Sequence, residues 1–349
     1  DISWIDQGTG LYYLADTSHG QVNEYDVSGG PQAAHFVQAL GKGQFTGAPT
    51  GAACPVFRGC NGPNGVVTDS NGKVWAGNGD GTIKELDPTT GQVMVSIATG
   101  GKLRSDELAY DSKDQTIIIG NDDEAFLTMI DVGKQAVVGH YYYSDVGIPT
   151  IPPGGKQSLY STPGNGIEQP VWNPATGLFY QAMPANTPDT GNGTIGRVDV
   201  FKGTPDGQGN MQRVTSFYAT GCGNGPTGLT LTANQTLVGA CDNGGIVMDV
   251  VTGNVLGMIP KVGGADEVWF NAADGNVYFA QAGSGMLGIG NPVTFQSVGS
   301  FRTGPGSHSV TAYAANDTVY SPVNGKCIMI FAAGANAPIP APAARPPAS

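Results

Sequence analysis

The chain has 349 residues, 55 of them glycine, only 13% charged, and a formal net charge of -12 with a pI near 4.5. Such an acidic chain would repel a phosphate backbone, so nucleic acid is excluded as a partner, and no apolar run approaches the roughly 18 residues of a membrane span. Glycine turns alternate with short runs rich in Val, Ile, Tyr and Thr, and no stretch of ten or more residues carries helical periodicity, which predicts β structure throughout. The start at Asp1 fits a trimmed chain or removal of a signal peptide.

In chain order, ISWIDQGTG, GPNGVVTDSNG, RSDELAYDSKD, GIEQPVWNPATG, GPTGLTLTANQ, GADEVWFNAADG and GSHSVTAYAAND share one plan, an apolar strand closed by a turn. The polar residues that lead the last six are Asn64, Asp106, Glu168, Thr227, Asp266 and His308, with separations of 42, 62, 59, 39 and 42 by subtraction of their numbers. Asp1 stands in the same column of the first unit. A period near 40 with insertions is the mark of a propeller blade. Each unit continues into second and third strands, as in LYYLADTSHGQVNEYDVSGG, and a weaker fourth, as in QVMVSIATG. The reading is a single all-β, seven-bladed β-propeller of four-stranded antiparallel blades around a central channel over 1–332, followed by a Pro/Ala-rich flexible tail over 333–349. Blade seven shows three strands, and its fourth is either AGANAP or missing.

In this topology the start of each innermost strand and the loop between strands two and three lie on one face, the channel mouth. That face collects the polar column together with Asp16 and His19, Asn78 and Asp80, Asp122 and Asp123, Asp242 and Asn243, and Asn324. The long insertions follow the same division, apart from KGTPDGQGNMQ, and loops on a rigid scaffold are where binding usually lives. Which neighbour of each pair faces the channel is a one-residue register question. The column from Asn64 to His308 is assigned to the channel because all six residues are polar, whereas Gly65, Glu107, Gln169, Gly228, Glu267 and Ser309 include glycines suited to close backbone packing.

Three carboxylates, Asp106, Glu168 and Asp266, set around one channel require a counterion, raised pKa values or screening water. A divalent cation is the economical expectation, with Asn64 as a further ligand: calcium or magnesium on an oxygen donor set, with manganese, iron or zinc admitted by His308. His308, Glu168 and Asp266 are the candidate catalytic residues. Thr227, Asp16, His19, Asp242 and Tyr143 are candidate ligand contacts, Tyr143 because Tyr141, Tyr142 and Tyr143 lead into the longest insertion, where a sugar- or aryl-sized molecule could stack. The competing reading is that alternate tyrosines cover a blade edge, and that the channel is wet and polar without a specific ligand. NDDEAF lacks EF-hand spacing and reads as a solvated loop. No nucleophile elbow, HExxH or phosphate-binding glycine loop occurs. Five cysteines suggest the disulfides Cys54–Cys60 and Cys222–Cys241, with Cys327 a buried free thiol, and hence an oxidising, secreted or periplasmic location for a monomer.

The turns LDPTTGQVM and MDVVTGNVL, within this succession of blades, resemble the YVTN or surface-layer type of β-propeller repeat. The resemblance spans nearly the whole chain to about residue 332 and implies the propeller fold. Similar propellers include lactonases and the virginiamycin lyase type, which set acidic residues, sometimes with histidine, around a central cation, and also plain binding scaffolds. The implied activity is therefore a divalent-cation-dependent hydrolase or lyase. The alternative is a non-catalytic scaffold for a small molecule, carbohydrate or protein.

Overall fold

The computed structural model describes residues 1–47, 61–143, 166–184 and 196–333. It consists of seven antiparallel sheets, six of four strands and one of three, each in simple sequential order. The innermost strands are Ser3–Asp6, Val66–Thr68, Ser105–Asp111, Pro170–Asn173, Leu229–Leu231, Val268–Asn271 and Thr311–Tyr313. Each touches the innermost strand of the next blade, and the last touches the first, so the sheets form a closed ring. The expected seven-bladed propeller is the observed fold.

Hydrophobic burial explains why the blades stay together. A blade is apolar on both faces and must bury both against neighbours. The core divides into seven clusters, one at each junction between successive blades, such as Tyr13, Val22, Val66 and Val74 between blades one and two. Strands two and three are accordingly mostly buried, completely so in Thr116–Asn121, whereas an outermost strand such as Gln92–Ala98 alternates exposed and half-buried residues. That is the physical reason the fourth strand of each blade was the weakest in the sequence. In every four-stranded blade the pairing of strands three and four carries a register shift, for example at Glu85/Leu86 and Ile289/Gly290. A bulge there twists the outer strand away from a flat edge that could pair with another chain.

The repeated turn between strands three and four has a local cause. In blades two and five the aspartate that ends strand three accepts hydrogen bonds from the turn backbone, Thr89 N to Asp87 Oδ1 at 2.9 Å and Thr252 N to Asp249 Oδ1 at 2.7 Å. The chain then reverses through Gly91 and Gly253, both at φ 71°, where a side chain would be strained.

Blade seven holds Thr311–Tyr313, Thr318–Val323 and Cys327–Ala332. Apart from Ala333, whose N–H donates to the Asp317 carbonyl at 2.9 Å, the AGANAP segment and the Pro/Ala-rich tail lie outside the described residues. Ring closure between blades seven and one is polar as well as apolar: Ser3 N donates to Ser309 Oγ at 3.0 Å, and Gln7 Nε2 donates to the Ala312 carbonyl at 2.7 Å.

The glycines of the second column behave as expected. A Cβ on Gly65 would lie 2.3 Å from the Asp106 carbonyl oxygen, and one on Gly228 would lie 2.5 Å from that of Asp266. These glycines let blade two approach blade three, and blade five approach blade six, at the level of the acidic pairs. Gly228→Ala should therefore cost about 1–3 kcal/mol in a urea unfolding curve; an unchanged midpoint would mean that the inner strands are free to separate.

Candidate channel-mouth site

The loops between strands two and three do lie beside the starts of the innermost strands. Ser105 N donates to the Asn78 carbonyl at 3.1 Å, Ile167 N donates to Asp122 Oδ1 at 3.0 Å, and Asn243 Nδ2 donates to the Gly221 carbonyl at 2.9 Å. The Cys222–Cys241 disulfide joins the same two kinds of loop in blade five. Cys54 and Cys60 lie outside the described residues, and Cys327 is free but only half-buried, rather than buried as expected.

The polar column comes together in part. His308 Nδ1 lies 3.0 Å from Asp266 Oδ2, and its Nε2 lies 3.3 Å from Asp1 Oδ1. Blades six, seven and one thus meet through one imidazole with a carboxylate beside each nitrogen. Asp266 and His308 are partly open, their side chains 40% and 28% exposed. On the blade-three side, Asp106 Oδ2 lies 3.0 Å from an Arg104 guanidinium nitrogen, which is itself 3.9 Å from Asp1 Oδ2. The other terminal nitrogen of Arg104 lies 3.7 Å from Asp122 Oδ2.

Arg104 is the residue that sequence reading passed over, although it stands two places before the acidic pair in RSDELAYD. Burial disfavours its charge, but Asp106, Asp122, Glu168 and Asp123 outweigh burial and hold the guanidinium protonated more firmly than usual. Its partners also correct the reading of NDDEAF as a solvated loop. Asp122–Glu124 forms a single 3-10 turn in which Asp122 is buried and fixes blade three to the start of blade four.

Glu107 and Glu267 are the second omission. Their column was assigned to close backbone packing, which holds for Gly65 and Gly228 but not for the two glutamates. Both are buried, and both belong to the same acidic assembly: Glu107 is acted on by the charges of Glu267, Asp106, Glu168 and Asp266, and Glu267 by those of Asp266 and Asp106. Burial first, and these like charges second, push Glu107 well above the usual carboxylate range and Glu267 up to about 8. The Ser309 hydroxyl and His308 pull Glu267 the other way, but by less.

The remaining expected contacts are distributed as follows. Asn64 is buried and its Nδ2 donates to the Ser105 carbonyl at 3.2 Å, bracing blade two on blade three. Thr227 Oγ1 donates to the Ala265 carbonyl at 2.9 Å, a similar brace between blades five and six. Glu168 is half-buried and contributes charge toward Arg104 and Glu107. Asp16 and His19 pair with each other at 2.8 Å, with His19 64% exposed. Asp242 is exposed beside the disulfide. Tyr143 differs from expectation: it is fully buried in the core between blades three and four, with Arg197 5.7 Å above its ring, so it packs the fold and is not presented to a ligand.

The geometry also bears on the cation. Asp106 faces Arg104, Asp266 faces His308, and the Asn64 amide nitrogen is engaged by backbone. Among the described residues no group of three or more His, Cys, Asp or Glu side chains is arranged to hold a metal ion. Arg104 supplies positive charge beside Asp106 and Asp122.

No protein family and no curated protein matches the sequence. Solved structures do match in shape. The chain is similar to Kuenenia stuttgartiensis hydrazine synthase, with a TM-score of 0.68 at 11% identity over 95% of this chain and 94% of that one. It is similar to U3-55K, with a TM-score of 0.63 at 10% identity over 92% and 87%, and to the computationally designed Ika8 protein, with a TM-score of 0.59 at 14% identity over 95% and 82%. At these identities the likeness establishes the propeller fold and nothing about chemistry. Among the described residues no helix is long and apolar enough to cross a membrane.

Proposed function

We propose that the channel mouth is a small-molecule site and that the protein acts there as a hydrolase or lyase, with His308 as the proton carrier. The supporting observation is that Asp1, Arg104, Asp106, Asp266 and His308, drawn from blades one, three, six and seven, converge at one end of the channel. In this reading Asp266 orients the imidazole through Nδ1, Arg104 places positive charge where an oxyanion or carbonyl oxygen would develop charge, and Glu168 is the further carboxylate available to a reacting group. Calcium or magnesium enters as a ligand to be tested, and no step depends on it. The turn pattern favours the YVTN-type repeat within the propeller class. The Cys222–Cys241 disulfide favours a secreted or periplasmic setting. A monomer acting on a small molecule or carbohydrate completes the reading.

The second reading is a non-catalytic scaffold, favoured by the fact that Asp106 and Asp266 already face protein partners. Product analysis by NMR on a panel of lactones, esters and glycosides separates the two. A hydrolase or lyase should lose activity by about 100-fold or more in His308→Ala, the usual scale for a general acid or base. Binding that survives in the variant without turnover in either protein supports the scaffold. A stoichiometric divalent ion that is lost in Asp266→Asn would return a metal to the site.

A further inference from the structure

We propose that the face opposite the mouth carries a calcium site at the seam of blades three and four, held by Asp111 and Asp114 against Gly203. The site is separate from the channel mouth and does not rest on the function proposed there.

The insertion KGTPDGQGNMQ, which departs from the mouth-facing pattern of the others, follows strand Arg197–Lys202 of blade four. It crosses onto blade three: His140 N donates to the Gly209 carbonyl at 3.3 Å, Met211 N donates to the His140 carbonyl at 3.0 Å, and Thr116 Oγ1 donates to the Gly203 carbonyl at 2.7 Å. Gly203 is thereby set against the end of strand Ser105–Asp111. A Cβ on Gly203 would lie 2.1 Å from Asp111 Oδ2 and 2.8 Å from Asp114 Oδ2, so two carboxylate oxygens close on the space that the missing side chain leaves.

Asp111 is fully buried, and its Oδ2 has no hydrogen-bond partner among the described residues. Its other oxygen is engaged by the turn, accepting from Lys113 N at 2.7 Å and Asp114 N at 3.0 Å. In other blades the residue at the same strand end gives its second atom to a neighbour. Asp69 Oδ2 accepts from Trp75 Nε1 at 3.0 Å, Asn173 Nδ2 donates to Gln235 Oε1 at 2.8 Å, and Asn271 Nδ2 donates to Asp317 Oδ1 at 2.7 Å. A buried oxygen left unpaired is costly, and native structures rarely keep one without a water, ion or ligand to use it.

Charge and donor type select the occupant. The neighbouring lysines are turned elsewhere: Lys202 Nζ donates to Gln212 Oε1 at 2.9 Å, and Lys113 Nζ lies 3.5 Å from where a Cβ on Gly177 would stand. Burial first, and the charge of Asp114 after it, raise the Asp111 carboxyl above its ordinary range, and a cation between the two acids relieves that repulsion. Hard oxygen donors favour calcium or magnesium over softer metals. Calcium accepts an irregular shell at about 2.3–2.6 Å completed by water and backbone carbonyls, whereas magnesium demands an octahedron. Asp114 is half-buried, so an ion reaches the pair from solvent. With two acids rather than three or more, the site belongs at the weak end of the calcium range, a Kd of about 0.1–1 mM.

Isothermal titration of the full chain with calcium chloride at neutral pH and fixed ionic strength tests the site. One ion should bind in that range, and thermal unfolding should shift upward as calcium is added. Asp111→Asn keeps the shape and the oxygen that caps the turn; it and Asp114→Asn should each weaken calcium about 10-fold or more while unfolding stays cooperative. Asp266→Asn, at the mouth, should bind calcium as the wild type does. An absence of binding up to about 10 mM calcium would overturn the proposal and leave Asp111 and Asp114 as a pair sharing a proton. Calcium binding that Asp111→Asn and Asp114→Asn leave intact would overturn it as well, and its loss in Asp266→Asn alone would place the ion at the mouth instead. None of these failures touches turnover at His308, which is read separately by product analysis.

Discussion

Glu267→Gln is expected to make the protein more stable at alkaline pH while leaving it nearly unchanged at pH 5. Folded, Glu267 keeps its proton up to about pH 8, because burial and the charges of Asp266 and Asp106 outweigh the Ser309 hydroxyl and His308; its ordinary value is 4.5. Between these two values the folded state binds more protons than the unfolded state. Stability from this group is therefore complete below about pH 4.5 and is lost as pH rises through about 8, with a limiting slope near 1.4 kcal/mol per pH unit. Glu107, shifted in the same direction, adds to the fall. A glutamine imitates the protonated acid and cannot ionise, so urea unfolding at pH 5, 7 and 8.5 should show the variant gaining on the wild type by on the order of 2–4 kcal/mol at the highest pH. Wild-type and variant profiles that run parallel would show that Glu267 ionises freely in the folded protein.

Arg104→Met should be among the most destabilising single changes at the mouth. The substitution keeps much of the apolar stem but removes the charge that faces Asp106 and Asp122, whose side chains are 2% and 1% exposed, and that also approaches Asp1. Removing one partner of a buried ionic group leaves the others uncompensated and costs about 3–5 kcal/mol. Arg104→Lys should recover part of the loss, since a single ammonium cannot span the two directions that the planar guanidinium reaches. Chemical denaturation at neutral pH measures both variants. A loss under about 1 kcal/mol for Arg104→Met, the range of an exposed ion pair, would mean that water and not Arg104 screens these carboxylates.

Much of the fold was legible because a propeller repeats its physics. The inner strand and the turn that closes it recur from blade to blade for the same steric and hydrogen-bonding reasons, so the acidic pairs of blades three and six, in RSDELAYD and GADEVWFN, announce equivalent positions. The mouth-face loops followed from the same geometry, and the Cys222–Cys241 bridge joins two of them. Charge pairing was less legible. The spacing that sets Asp106 near the axis carries no sign that Arg104 will turn back onto it, since that contact is completed by Asp122 of the neighbouring loop and by Asp1 of another blade. The one-residue register likewise offered only two columns to choose from, whereas the structure draws on both: glycines where blades touch, glutamates where the interior has room for a carboxyl. Tyr143 was misplaced because a tyrosine leading into a loop reads the same whether its ring turns outward or, as here, into the core beneath Arg197.

The central claim is convergence of separate blades on one charged channel, and a double-mutant cycle on Glu107→Gln and Glu267→Gln at pH 8.5 tests it most directly. Each single change should stabilise by removing a buried charge and relieving the other glutamate. The pair should then gain less than the sum of the singles by about 1 kcal/mol or more, the signature of groups that share an environment. Gains that add to within about 0.5 kcal/mol would place the two residues in independent surroundings and contradict the account.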